Sequence, residues 1–317
     1  MVSSGIVTTF VIPAFNVGRY IEETLREILS DARKDIEVVV VDDGSTDDTA
    51  LVVEAIGDAR VRYFWQANQG VSRARNHGVA NSRGQFIIFL DGDDLFDMSA
   101  LDDLLKPLLD DPNVVATYGT MAVFVDGQSK GLPRNPLRWL GSKPSGDILG
   151  ALLQDNVIRG IGACCMRSAS FLDAGGFNGG LHLAEDWDLF CRLACLGAVI
   201  HVPGAKALRY RQHRSSASAR LSANMTHYEE FATALFTDPR IVARFCPDEL
   251  RRLRRSNFAS YLAFVAMKAV QLGDGRTSTS IYLRALRAYP RRFPDLTVRY
   301  LWALAQYYLF GGSRARR

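Results

Sequence analysis

Three carboxylates close the run Phe89-Leu90-Asp91-Gly92-Asp93-Asp94, at the end of the apolar segment Gln85 to Leu90. Carboxylates one residue apart on a loop can share a hard divalent cation with the phosphates of a ligand. An apolar run of this length, bounded by a Gly/Asp turn, predicts a buried strand. In open parallel sheets, ligands bind at the carboxyl ends of such strands. A lone Asp-x-Asp reads more plainly as a solvated acidic turn, but this one is not isolated. Three other polar strand-end motifs precede it: Pro13-Ala14-Phe15-Asn16, Asp42-Asp43-Gly44-Ser45-Thr46-Asp47, and Asn68-Gln69-Gly70-Val71-Ser72-Arg73-Ala74-Arg75-Asn76-His77-Gly78. A second acidic group, Glu185-Asp186-Trp187-Asp188, follows the glycine-rich Gly175-Gly176-Phe177-Asn178-Gly179-Gly180.

The elements that must position these residues alternate. Strand patterns over Ile6 to Ile12, Ile36 to Val41, Val61 to Trp65 and Phe86 to Leu90 are separated by helical spacing over Arg19 to Leu29, Thr46 to Ile56 and Val71 to Ala80. Ser45 or Thr46 is the expected cap of the second helix. Such alternation predicts βαβ units around a mostly parallel sheet, an α/β fold. Further on, Met98 to Leu109 and Leu183 to Leu196 read as helices, and Val114 to Val125 and Ala198 to Val202 as strands. Ser129 to Asp147, rich in Gly, Pro and basic residues, reads as a loop over the site. From Thr226 the pattern is helical. Tyr261 to Leu272 and Thr277 to Ala288 flank Gly273-Asp274-Gly275 as a helix pair, and Asp295 to Leu309 forms a last helix. The expected organisation is a catalytic domain over 1–220 and a helical region over 221–317.

With 317 residues, 48% hydrophobic, and a mean hydropathy of -0.02, the chain has ample material for a core. No early segment has the pattern of a signal peptide or a membrane span, so a cytoplasmic protein is expected. Cys164, Cys165, Cys191, Cys195 and Cys246 are odd in number and show no CxxC spacing. They read as small buried hydrophobes in a reducing compartment. The net charge of +4 conceals an asymmetry: from Lys206 onward there are 21 basic and 7 acidic residues, against 17 and 27 before it. A basic C-terminal part suits anionic ligands or peripheral contact with an anionic membrane face. Arg251, Arg252, Arg254 and Arg255, with the tail Arg314, Arg316 and Arg317, are the residues concerned, and a solvated face is the plainer reading. No nucleic-acid-binding motif accompanies the charge, so nucleic acid is not an expected partner.

In this order, the motifs resemble those of the family 2 glycosyltransferases, over roughly residues 5 to 216. The resemblance implies a GT-A fold, a Rossmann-like mixed sheet flanked by helices, here with a helical C-terminal appendage. It implies transfer of a sugar, with inversion, from a nucleoside diphosphate sugar to a glycan or lipid-linked saccharide in cell-surface polysaccharide assembly. UDP is favoured on family frequency alone. Two other readings use similar parts. A nucleotidyltransferase would place a glycine-rich phosphate loop after the first strand, which Pro13-Ala14-Phe15-Asn16 is not. A silent nucleotide- or glycan-binding scaffold would be expected to have lost one of Asp91, Asp93 and Asp186.

For the donor nucleotide, Phe15 offers a stacking wall with Pro13 fixing the turn, and Asn16, Ser45 and Asn68 lie in the same motifs. Asp42 or Asp43 can meet the base edge; the resemblance favours Asp43 for a uracil- or thymine-like imide. Phe15 as a core aromatic and Asp42 as a helix cap are the plainer alternatives. Arg75 either contacts the pyrophosphate or holds the acidic loop. The resemblance makes Asp91 and Asp93 a clamp for Mn²⁺ or Mg²⁺, with Asp93 the direct ligand and Asp91 on ribose or on the metal through water. Asp94 could equally cap the next helix. Asp186 is the implied base, Glu185 orients it or binds acceptor, and Trp187 packs against a sugar face. In the late run Tyr210 to Ser218, His213 could complete the metal site, and Arg211 or Arg214 could meet phosphates.

Overall fold

The computed structural model describes residues 5–125, 143–213, 225–271 and 274–306. The first half follows the predicted alternation: β1 (Thr8–Ala14), α1 (Ile21–Leu29), β2 (Ile36–Asp42), α2 (Thr49–Ala55), β3 (Val61–Trp65), α3 (Val71–Ala80) and β4 (Phe86–Phe89). Then come β5 (Leu95–Phe96), α4 (Leu101–Asp110), β6 (Val114–Tyr118), β7 (Met121–Val125), α5 (Leu149–Leu152), β8 (Cys164–Arg167), α6 (Ser168–Asp173), α7 (Glu185–Ala194), β9 (Ala198–His201) and β10 (Leu208–Gln212). The remaining helices are α8 (Met225–Thr237), α9 (Pro239–Val242), α10 (Pro247–Gln271), α11 (Gly275–Ala288) and α12 (Phe293–Gln306).

Seven strands form one sheet in the order β3-β2-β1-β4-β8-β6-β9, and β5-β10-β7 form a second. β1 pairs in parallel with β2 and β4, while β8 runs antiparallel to β4 and β6, so the large sheet is mixed. Every residue of β1, β2 and β4 is buried, as expected of strands covered on both faces. α1 lays Ile21, Leu25 and Ile28 on this core and keeps Glu22, Glu23 and Arg26 outward. Burial of Ile21, Leu25 and Ile28 contributes about 1.5–3 kcal/mol each. α3 packs closer still. A methyl group on Gly78 would overlap Val11 Cγ1 and stand 3.3 Å from Val41 Cγ2, so only glycine lets the helix lie this near β1 and β2.

Several expectations change. α2 begins at Thr49 rather than Thr46; Thr46 N–H donates to the Asn16 side chain, and Asp47 Oδ1 accepts from Thr49 N at the helix start. The strand-rich run from Val114 divides at Gly119-Thr120 into β6 and β7, which belong to different sheets. Gly119 lies against the Ala205 carbonyl, where no side chain fits. The loop expected from Ser129 to Asp147 lies outside the described residues up to 142, as do Arg214 and the basic tail.

The described residues group into two units. One comprises 5–125, 144–148 and 158–212, and holds both sheets. The other takes 143, 149–157, 213 and all described residues from 225 onward. In this helical unit Ser278 Oγ donates to the Ala266 carbonyl across the α10–α11 connection, and Tyr282 stacks on Tyr300 with centroids 4.2 Å apart. Arg292 and Arg299 converge on Asp155 and Asp295. No helix among the described residues is long and apolar enough to cross a membrane. None of the five cysteines is in a disulfide; Cys164, Cys165 and Cys191 are buried as expected, Cys195 is half-buried, and Cys246 is exposed, against the expectation of a buried residue.

Candidate active site

The carboxyl ends of β1, β2 and β3 lie side by side, with Ala14, Asp42 and Trp65 in register. Pro13 is buried in β1, and Phe15, just past it, is 49% exposed, so its ring faces solvent and not the core. Asn16 takes a left-handed conformation, φ 53°, which asparagine tolerates better than most residues. Its N–H donates to Ser45 Oγ at 2.9 Å, and its Oδ1 accepts from Thr46 N at 2.8 Å. Asn16 and Ser45 therefore bind each other and lock two strand-end loops together. Asn68 is exposed; its backbone nitrogen would stand 3.0 Å from a side chain on Gly44, itself at φ 78°.

Asp42 and Asp43 are both buried and both bonded. Asp42 accepts from Ser45 N at 2.7 Å and from the Tyr63 hydroxyl at 2.8 Å. Burial and this carboxylate hold the Tyr63 phenol well above its ordinary range. Asp43 Oδ1 accepts from Gln66 Nε2 at 2.7 Å and Gln69 N at 2.8 Å, and Oδ2 accepts from Gly70 N at 2.8 Å. A carboxylate has about four acceptor sites, so roughly one is left for a ligand.

The acidic loop is held from beneath. Thr24 Oγ1 lies 3.1 Å from the Gly92 carbonyl and 2.8 Å from the Asp94 carbonyl. Arg211 was expected at phosphates, but it is buried and committed to this loop. Its backbone N–H donates to Asp94 Oδ1, its Nε to the Asp93 carbonyl at 2.7 Å, and its Nη2 to Glu23 at 2.6 Å. Its guanidinium also lies over the Tyr20 and Phe124 rings. Asp94 caps no helix; burial, then the charges of Asp91 and Asp93, push its carboxyl well above the usual range.

Arg75 joins the two acidic groups. It is buried, donates to Asp91 Oδ1 at 2.8 Å and to Glu185 Oε1 at 3.1 Å, and lies 5.1 Å from the Phe177 ring centre. These two carboxylates hold its proton more firmly than usual against the opposing effect of burial. Asp186 follows Glu185 in the first turn of α7 and accepts from Trp187 N at 2.7 Å. Burial and then the Glu185 charge raise Asp186 to about 7, against the pull of Arg75. Trp187 is only 6% exposed, so its ring packs in the core rather than offering a sugar platform.

Two anchors set α7. Asn76 accepts from Phe177 N and donates to the Phe177 carbonyl, both at 2.9 Å, pinning the glycine loop to α3. Arg192 bridges buried Asp188 and the Ala174 carbonyl at the start of that loop. Between them Ala184 is forced to φ 59° immediately before Glu185. Glu23, Thr24, Gln66 and Asn76 were not singled out from sequence; for Gln66 the available signal was its place just past β3.

A cation would fit the chemistry of the acidic loop. Asp91 and Asp93 are hard oxygen donors, and the charges that disfavour ionised Asp94 are those a divalent ion would neutralise. Among the described residues no group of three or more His, Cys, Asp or Glu is already gathered around a metal position. His213 follows β10 directly and groups with the helical unit.

Comparison with known proteins follows the same lines. A glycosyltransferase of unassigned role, RC0461 from Rickettsia conorii, is 28% identical over 235 residues, covering 71% of this chain and 36% of its own length. The structure of S. aureus TarS 1-349 in complex with UDP-GlcNAc superposes with a TM-score of 0.64 at 17% identity, covering 96% of this chain and 92% of that one. The mannosyltransferase PcManGT from Pyrobaculum calidifontis, in complex with GDP-Man and Mn²⁺, gives a TM-score of 0.57 at 19% identity, with 96% and 87% covered. The fold is that of the GT-A glycosyltransferases. The model for glycosyl transferase family 2 matches residues 9–176, and with strand-end motifs and acidic groups arranged as above, the chain belongs to that family.

Proposed function

We propose that this chain is a metal-dependent, inverting glycosyltransferase that moves a sugar from a nucleoside diphosphate sugar to a glycan or lipid-linked saccharide in cell-surface polysaccharide assembly. The observation that carries the reading is the convergence of Asp91, Glu185 and Asp186 on buried Arg75. One carboxylate belongs to the donor loop and two to the helix where an acceptor would be deprotonated. In this reading Phe15 stacks on the base and Asp43 meets its edge, with UDP the favoured nucleotide. Asp91 and Asp93 would hold Mn²⁺ or Mg²⁺. That ion, when bound, supplies positive charge to the departing diphosphate.

Asp186 takes the proton from the acceptor hydroxyl as its oxygen bonds to the anomeric carbon. The bond from that carbon to the diphosphate oxygen breaks on the opposite face, which inverts the configuration. With a pKa near 7, Asp186 is about half ionised at neutral pH and largely ionised at mildly alkaline pH, yet basic enough to accept the proton. Glu185 stays with Arg75 and keeps Asp186 oriented. The test is sugar transfer by wild type and Asp186→Asn with a panel of nucleotide sugars. Transfer should fall by about 10²–10⁴ in the variant. Undiminished transfer would remove Asp186 from its role.

A further inference from the structure

Asp43 is not held by backbone alone. Gln66 Nε2 donates to Asp43 Oδ1 at 2.7 Å, and Gln66 Oε1 lies 2.8 Å from His77 Nδ1 on α3. The polarity of this chain is forced from one end. An ionised carboxylate only accepts, so Gln66 must turn its NH₂ toward Asp43 and its carbonyl toward His77. Nδ1 of His77 must then carry a proton. Phe64, with its ring 5.9 Å from the imidazole, packs beside the relay.

Gln66 Nε2 has a second hydrogen beyond the one given to Asp43. The site thus offers an acceptor, the remaining lone pair on Asp43 Oδ2, and a donor, the second N–H of Gln66. We propose that Gln66 and His77 are positioning residues that fix this order and select a nucleobase edge with N–H beside C=O. Uracil, thymine and guanine have that edge. Cytosine and adenine offer a ring-nitrogen lone pair beside an amino group, the reverse order, and would set a lone pair against a carboxylate. This inference rests on the strand-end site being the donor nucleotide's.

The simpler alternative is that Asp43 merely caps the start of α3 through the Gln69 and Gly70 amides. On that view changes at Gln66 and His77 alter stability without altering base choice. UDP and CDP separate the two, since they match in size and differ at the base edge.

The experiment is isothermal titration of UDP and CDP, with Mn²⁺, into wild type, Gln66→Leu, His77→Phe and His77→Asn, alongside the melting temperature of each. Wild type should prefer UDP by about tenfold or more, the scale of one buried polar group left unsatisfied. Gln66→Leu and His77→Phe should each cut that preference about fivefold or more. His77→Asn, whose amide can still donate to Gln66, should keep it. An unchanged UDP-to-CDP ratio in both disruptive variants overturns the relay while leaving the donor site intact. Failure of wild type to bind either nucleotide overturns the donor-site reading, and the relay with it.

Discussion

A carboxylate that accepts a proton from a sugar hydroxyl works best with a pKa near the working pH. Asp186 is brought there by burial and by Glu185, and Arg75 opposes both. Because the base must be ionised, kcat/KM should rise with pH through an acid limb near 7. A cation at Asp91 would move that limb lower, since the Asp91 charge is one of the causes raising Asp186. A pH–rate profile checks this, and a flat profile from pH 5 to 9 would contradict it. The same shift has a consequence for stability with a defined sign. The folded pKa lies above the unfolded value near 3.8, so the contribution is full below about 4 and is lost as pH rises through 7. Some residue roles were plain in the sequence and others were not. Clustered acids at strand ends marked the site, but Arg211 stood in a motif suited to phosphate while its three-dimensional neighbours make it a clamp. Partners of Asp43 are 23 to 27 residues away, a relation no local pattern encodes.

Elements place these residues through close approach. α3 buries Arg75 and Gly78, three residues apart on one face, with Gly78 against the sheet, and turns Asn76 to the glycine loop. Gly78→Ala gains helix propensity but drives a methyl into Val11, so overpacking should dominate. We expect a loss of about 1–3 kcal/mol in chemical denaturation. A stabilised variant would mean that α3 sits further from the sheet. Long apolar strands were legible because β1, β2 and β4 are buried along their whole length. β5 has two residues, too few for a pattern, and β10 reads Leu-Arg-Tyr-Arg-Gln, a brief alternation whose buried members are Leu208 and Arg211 rather than its two apolar residues. They are strands because each pairs with the other, and β10 also with β7. At the start of α2, Ser45 and Thr46 bond to Asn16 across the chain, and Asp47 is the side chain that accepts from Thr49 N.

At the scale of the whole molecule, contact of the basic helical unit with an anionic membrane stays a proposal; of the arginines singled out in the sequence, Arg251 pairs with Asp248 and Arg254 with Glu229. α11 contains no acidic residue and exposes Arg276, Arg284 and Arg287 around Leu283, which is itself 46% exposed. Cations around an apolar side chain suit the face of an anionic bilayer, at about 1 kcal/mol per basic residue near the surface. Vesicles rich in anionic lipid should sediment the protein at low salt and release it at high salt. Neutral vesicles should not, and Arg284→Glu with Arg287→Glu should weaken binding; equal sedimentation by both vesicle types would contradict this. The central claim concerns the other unit, where a nucleotide and a cation meet Asp93. Isothermal titration with UDP, GDP, dTDP and CDP, each with Mn²⁺ and with EDTA, tests it most directly. The account predicts cation-dependent binding of at least one nucleotide, lost in Asp93→Ala. Binding that is the same in EDTA, or the same in Asp93→Ala, would contradict it.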